Sequence, residues 1–253
     1  MRTVHRFLVP GIPPVGDTVM LPADEATHAS RVLRLGAGAV VGLLDGKGGA
    51  CTAVITSLNK SGSEVTVRVD GPRAAAREPR VAVTVVHAVL KGDKMDDVVR
   101  DAVMMGAAAI QPIVTARSET SLAAITRGQR VDRWRRIAVA STKQCGRAVV
   151  PVVFDARTLD TDATWLLGPH TPEPRLLLVE PGTALPARTP RQVGEPPAEA
   201  ASIIVGPEGG WTTHELAALA AVIVPLTLGR QTLRADRAAT VAIAALQAVW
   251  NDL

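Results

Sequence analysis

Aromatic side chains are scarce in this chain: four Trp, two Phe and no Tyr among 253 residues. That argues against an aromatic stacking platform for single-stranded nucleic acid. Cysteine is nearly absent too. Cys51 and Cys145 stand far apart with no paired spacing and no histidine cluster beside them, so neither a disulfide framework nor a bound metal is expected. No run of apolar residues approaches the ~18 that a membrane helix requires, and the opening MRTVHRFLVPGIPPV lacks the continuous apolar core of a signal peptide. The chain is therefore read as cytoplasmic, with no membrane partner. Internal repeats are missing as well.

What remains is the profile of a folded protein, with 47% apolar and 21% charged residues. The length suits one large domain and one small one. A net charge of +4 and a pI near 9.6 lean slightly towards an acidic partner such as nucleic acid. Two rhythms divide the sequence. Up to about residue 72, short β-type runs (HRFLVP, AVVGLLDGKGGACTAVITSL, SEVTVRVD) are broken by turn residues, which describes a small β-rich module. One helix is expected within it, Ala23 to Leu35, with Asp24 as a cap and His28, Arg31 and Arg34 along one flank. Asp70 to Arg80 reads as a linker. From residue 73 onward, apolar strands alternate with helical segments, beginning with VAVTVVHAVL, DKMDDVVRDAVMMG and AIQPIV. Such alternation predicts an α/β domain, a mostly parallel sheet with helices on both faces. Pro181 to Ala200 is proline-rich and aperiodic, and a surface loop is expected there.

Ligands in open α/β sheets sit beyond the carboxyl ends of the strands. Three such ends stand out: Leu178-Val179-Glu180-Pro181-Gly182, then Val205-Gly206-Pro207-Glu208-Gly209-Gly210, then Leu226 to Gly229. After the second, Thr212 and Glu215 have the spacing of a capping box. The glycine turn is not a phosphate cradle. It has no Gly-Lys-Ser/Thr, Pro207 removes an N–H, and Glu208 adds a negative charge. Backbone groups there suit a nucleoside-like ligand with an apolar or cationic tail. The third loop carries two arginines, Arg230 and Arg234, into a helix made almost wholly of Ala, Val, Ile and Leu, which must be buried. His87, inside an apolar strand, reads as a hydrogen-bonded core residue.

These motifs resemble the SPOUT-class bacterial 16S rRNA (uracil-N3)-methyltransferases. The resemblance is carried by His5-Arg6-Phe7-Leu8-Val9, by His28 through Arg34, by Arg133-Trp134 and Gln144-Cys145-Gly146-Arg147, and most specifically by Gly206 to Gly210 and Leu228-Gly229 with Leu233-Arg234. It also has departures: Asp236-Arg237 stands for the family's Glu-Thr, Asp101 to Gly106 for Lys-Ala-Thr-Glu-Leu-Gly, and Ala140 and Lys143 for two acids. The resemblance implies S-adenosyl-L-methionine as methyl donor. It implies a PUA-like β-barrel (residues 1–72) that grips RNA, followed by a SPOUT domain (residues 73–253) with a C-terminal trefoil knot that forms a homodimer. The substrate it implies is 16S rRNA in the small ribosomal subunit. Two alternatives stay open: a SPOUT enzyme acting on another site such as a tRNA ribose 2′-hydroxyl, and a non-catalytic RNA-binding or assembly protein.

Roles follow under that resemblance. The donor is expected against Val179, Glu180, Val205 to Gly210, Leu226, Leu228, Gly229, Leu233 and Arg234. Arg147 and Arg234 are candidates to face the uracil oxygens, Gln144 to orient the base, and Glu208 or Asp236 to accept the N3 proton. Arg6, Arg31, Arg34, Lys91 and Lys94 are candidates for RNA contacts.

Overall fold

A computed structural model describes residues 4–159, 165, 166, 168, 170–183 and 185–253. Its contacts divide into two compact units, residues 1–78 with 139–150, and residues 79–138 with 151–253.

The first unit is a five-stranded sheet in the order β1-β3-β4-β5-β2. Its strands are β1 (Arg6–Leu8), β2 (Thr18–Met20), β3 (Val40–Leu44), β4 (Ala50–Leu58) and β5 (Val65–Pro72). Only β1 with β3 is parallel, Phe7 facing Leu43 across the ladder. Along the first part of β4, buried and half-buried residues alternate, so one face packs inward over Phe7, Val41, Leu43, Ile55 and Val67. The register of β4 on β5 slips between Thr52 and Ala53 and again between Ile55 and Ser57; bulges of this kind bend and twist a sheet. The first residues of the expected linker, Asp70 to Pro72, belong to β5.

The single helix expected at Ala23 to Leu35 is two pieces, α1 (Ala23–Thr27) and a wider π-type turn, His28–Val32. Its N-cap is Pro22 rather than Asp24, which sits inside the first turn with Glu25. There it complements the positive helix end without capping it.

The second unit holds a parallel sheet in the order β12-β10-β11-β6-β7-β8, with β9 also on β7. The strands are β6 (Ala82–Ala88), β7 (Ala109–Val114), β8 (Val152–Val153), β9 (Arg157–Thr158), β10 (Arg175–Leu178), β11 (Ala200–Val205) and β12 (Val224–Leu226). β6, β10 and β11 are buried almost end to end, as strands covered on both faces must be. One core cluster gathers Met95, Val98 and Val99 of α2 (Lys94–Met104) with Ala242, Ile243 and Leu246 of α7 (Ala235–Val249). A second cluster, built on Val86, Leu177, Ile204 and Leu219, holds the other face. Burying each such side chain is worth about 1.5–3 kcal/mol.

This unit also holds α3 (Leu122–Arg127) and α6 (Thr213–Leu219), and α4 (Arg130–Cys145) begins in it; residues 139–150 group with the first unit. Trp134 of α4 is fully buried, with the Arg130 guanidinium 5.3 Å from its ring centre. The expected loop from Pro181 to Ala200 has more order than its composition indicates. Thr189 caps a turn of helix, α5 (Pro190–Val193), and Arg188 exchanges hydrogen bonds with the backbone around Leu226, accepting from Thr227 and donating to Pro225. Proline at the start of a helical turn is pre-set for it. Ala184 lies outside the described residues.

Candidate functional site

β10, β11 and β12 run side by side and in parallel, Leu177 level with both Ile204 and Pro225. Their carboxyl ends therefore open at one edge of the sheet. The loops leaving them enclose a cavity of about 700 Å³, within the range of small-molecule sites. From the first loop it takes Val179 and Glu180, together with Pro181, Gly182 and Thr183. The second contributes Val205 through Gly210 without a break, and Trp211 after it. Leu228, Leu233, Arg234 and Asp236 come from the third, with Gln231 and Thr232. Of the residues expected to hold a donor, Leu226 and Gly229 do not line the cavity. Leu226 is fully buried in the core at the end of β12, and Gly229 borders a smaller neighbouring hollow.

The glycine turn is shaped by what packs on it. A Cβ at Gly206 would stand 2.9 Å from the indole of Trp211, so the ring lies directly on bare backbone. Gly210 has φ +70, a conformation L side chains rarely adopt, and its N–H closes the turn on the Pro207 carbonyl at 2.9 Å. Beyond it, α6 starts on a full capping box: Thr212 Oγ1 accepts from the Glu215 N–H, and Glu215 Oε2 accepts from the Thr212 N–H. The other oxygen of Glu215 accepts from the Ala116 N–H at 2.8 Å. This buried carboxylate joins the loop after β7 to the turn.

Charges around the cavity are mostly paired. Lys94 meets Glu208 at 2.8 Å. Burial pushes the Glu208 carboxyl up, but Lys94, its own backbone N–H and His87 outweigh that and hold it below the usual carboxylate range. A proton acceptor with that balance is a weak base. Arg234 makes a two-pronged contact with Asp236, both distances 3.1 Å; the acid is buried and the guanidinium exposed. His87 lies behind this edge, Nδ1 2.7 Å from the Ala88 carbonyl and Nε2 3.1 Å from that of Ala235, at the start of α7. Desolvation lowers its pKa against the pull of both carbonyls and of Glu208 and Asp236.

Arg117 and Trp211 are lining residues for which the motifs carried no expectation. Arg117 follows β7, another strand whose carboxyl end opens at this edge; that position was its one sequence signal. Lys94, expected to contact RNA, also lines the cavity.

The remaining site candidates have other surroundings. Arg147 belongs to the first unit and is buried against Glu78, its Nε 3.0 and 3.1 Å and its Nη2 2.6 Å from the carboxylate oxygens. Gln144 is exposed on the last turn of α4. Arg6 donates to the carbonyls of Lys143 and Gln144, capping that helix end. Arg31 holds the Ser61 carbonyl at 3.1 Å, Arg34 is exposed with φ 53, and Lys91 pairs with Glu119 at 2.8 Å. Among the described residues no cluster of His, Cys, Asp and Glu could hold a metal ion, and no helix is long and apolar enough to cross a membrane.

Residues 77–247 match the RNA methyltransferase domain family, and residues 21–68 the RNA methyltransferase PUA domain. A Mycobacterium bovis protein named ribosomal RNA small subunit methyltransferase E is 31% identical over 249 residues, 95% of this chain and 90% of that one. The solved structure of the ribosomal RNA small subunit methyltransferase E of Neisseria gonorrhoeae, bound to S-adenosyl methionine, is similar with a TM-score of 0.81 and 29% identity over 98% of both chains. A Legionella pneumophila protein solved in complex with SAM gives a TM-score of 0.86 at 26% identity, again over 98% of both. With its parallel sheet, the cavity at its strand ends and a family match spanning most of its length, the chain belongs to the RNA methyltransferase family, in the group of the ribosomal RNA small subunit methyltransferases E.

Proposed function

We propose that this protein methylates N3 of a uridine in 16S rRNA of the small ribosomal subunit, using S-adenosyl-L-methionine. One observation carries the reading: the loops leaving three adjoining strand ends line one cavity, the glycine turn among them, in a chain similar over nearly its whole length to a protein solved with that donor. The residues fit the donor. Leu178, Val205, Leu228 and Ala238 offer apolar contact to an adenine, exposed main chain at Gly206 to Gly210 offers hydrogen bonds, and Glu180 offers a carboxylate to hydroxyl or ammonium groups. The donor, when bound, supplies an electrophilic methyl on a sulfonium cation.

The chain's own part is to position the acceptor and cope with its proton. Uracil N3 is an imide nitrogen whose anion spreads charge over O2 and O4, so cationic groups at the cavity mouth favour the reactive form. Asp236 is buried and held by Arg234, an arrangement that orients the carboxylate for relaying a proton through water. Holding the base against the methyl lowers the barrier further. The same proposal includes an RNA-gripping module at residues 1–72, a methyltransferase domain at residues 73–253 with a trefoil-knotted end, a homodimeric assembly, and action in the cytoplasm. Arg31, Arg34 and Lys91, exposed and basic, support a phosphate footprint.

Transfer of labelled methyl to small subunits from cells lacking this protein tests the reading. The expected product is 3-methyluridine in 16S rRNA by nucleoside mass spectrometry. Label appearing in tRNA ribose instead, or none at all with the donor bound, would overturn the assignment.

A further inference from the structure

The cavity has a second guanidinium beside Arg234, and it is differently employed. Arg117 lies at the tip of a four-residue turn after β7 that is fastened from several sides. Ser118 N–H donates to the Thr115 carbonyl at 3.1 Å, Thr115 N–H donates to Ser118 Oγ at 3.0 Å, and Ala116 N–H donates to the buried Glu215. From that tip the side chain crosses onto the glycine turn, where Nη1 donates to the Gly209 carbonyl at 2.8 Å. A Cβ at Gly209 would come within 3.2 Å of the Arg117 Cβ, so glycine at 209 is what lets the arginine lie there.

Among the described residues no carboxylate stands within ion-pair distance of Arg117. The contrast with its neighbours is direct: Arg234 is matched by Asp236, Lys94 by Glu208 and Lys91 by Glu119. A guanidinium carries five N–H donors in a fixed fork, and here one of them anchors the side chain to the turn. The others are left for a ligand.

We propose that Arg117 binds the carbonyl oxygens of the acceptor imide and favours its anion, acting on substrate directly as a catalytic residue. This rests on the methyl-transfer reading above. In the step, the imide N–H releases its proton to solvent and leaves negative charge on N3 and the flanking oxygens, which Arg117 stabilises. The N3 electron pair forms the new N–CH3 bond as the S–CH3 bond breaks, and that bond's pair returns to sulfur, which becomes a neutral thioether.

The experiment compares the full-length protein with Arg117→Ala, Arg117→Gln and Arg117→Lys. Donor affinity is measured by calorimetry, and single-turnover methylation of small subunits is followed across pH and salt. Expected is donor affinity within about twofold throughout, with turnover by Arg117→Ala at neutral pH lowered about 10²- to 10³-fold. Its pH–rate profile should rise at more alkaline pH, and added guanidinium should restore part of the rate. A rate that does not change would overturn the proposal. So would donor affinity falling in step with the rate, which would make Arg117 only a brace for Gly209. A loss confined to subunit affinity, with a shallower salt dependence and an unmoved pH profile, would reassign the contact to a phosphodiester. Failure of the unsubstituted protein to bind donor would overturn the methyl-transfer reading itself, and is read separately from the variants.

Discussion

The two sheets use side chains in opposite ways. In the first unit, the first part of β4 alternates buried and half-buried residues over a core that includes Phe7, Leu43, Ile55 and Val67. In the second, β6, β10 and β11 are covered on both faces, and the cavity opens where β10 and β11 stop, against a turn that holds Gly206, Gly209 and Gly210. Charged groups follow the same division. Arg6 on the end of α4, Lys143 on Glu25 and Arg147 on Glu78 are held inside the first unit as parts of its framework. At the cavity the glycine turn and the charged residues Lys94, Glu208, Arg234 and Asp236 line the same wall. One region is braced by buried charged side chains, while the other also needs places where a side chain is missing, at Gly206 and Gly209.

Adding atoms should therefore harm the second region most. Gly206 lies outside the left-handed region, so Gly206→Val disturbs contact rather than backbone, setting a branched Cβ 2.9 Å from the Trp211 ring. Donor affinity should fall about 100-fold, roughly 2.7 kcal/mol, with the melting temperature moved only slightly. Calorimetry with the donor checks it. Unchanged affinity would mean that Trp211 and the turn are not a wall of the donor site.

Removing atoms should harm the first. Arg147 is 5% exposed at its side chain and Glu78 33%, so the pair is buried at one end and wetted at the other. Arg147→Ala should destabilise by about 2 kcal/mol, less than the ~3–5 expected for a fully buried pair. Glu78→Gln should cost less, since the guanidinium keeps a neutral acceptor. If Arg147→Ala unfolded at the same denaturant concentration as the unsubstituted protein but failed to methylate, the residue would belong to the chemistry and the contrast between the regions would blur.

Much of this was legible in the residues. The capping box at Thr212 and Glu215 followed from spacing alone and is present. The alternation of strands and helices gave the parallel sheet because two-faced burial writes itself as unbroken apolar runs. What spacing could not reach was partnership. Nothing near Arg147 in sequence points to Glu78, 69 residues away, and nothing near Ala116 points to Glu215. Arg117 was hidden for another reason. Its loop, TARS, has no glycine and no helix cap to mark it, and its importance comes from β7 lying beside β6 in the sheet. The break after Thr27 was equally silent, since a π-type turn keeps the same residue types as an α-helix.

Asp101 and Arg237 offer the finest test. Both depart from the family's pattern, and the structure brings them together: Arg237 Nη1 lies 2.7 Å from Asp101 Oδ2, joining α7 to α2. Asp101 is 19% exposed at its side chain and Arg237 53%, so solvent screens the attraction and about 0.5 kcal/mol is its expected worth. A double-mutant cycle of Asp101→Ala and Arg237→Ala should return a coupling of that size, smaller at high salt. Asp101→Lys alone sets two cations together at the start of α7 and should destabilise. Joined to Arg237→Thr, which restores the family's residues at both places, it should regain most of that loss. Additive effects across the cycle would mean that this edge of the second unit does not rest on the pair.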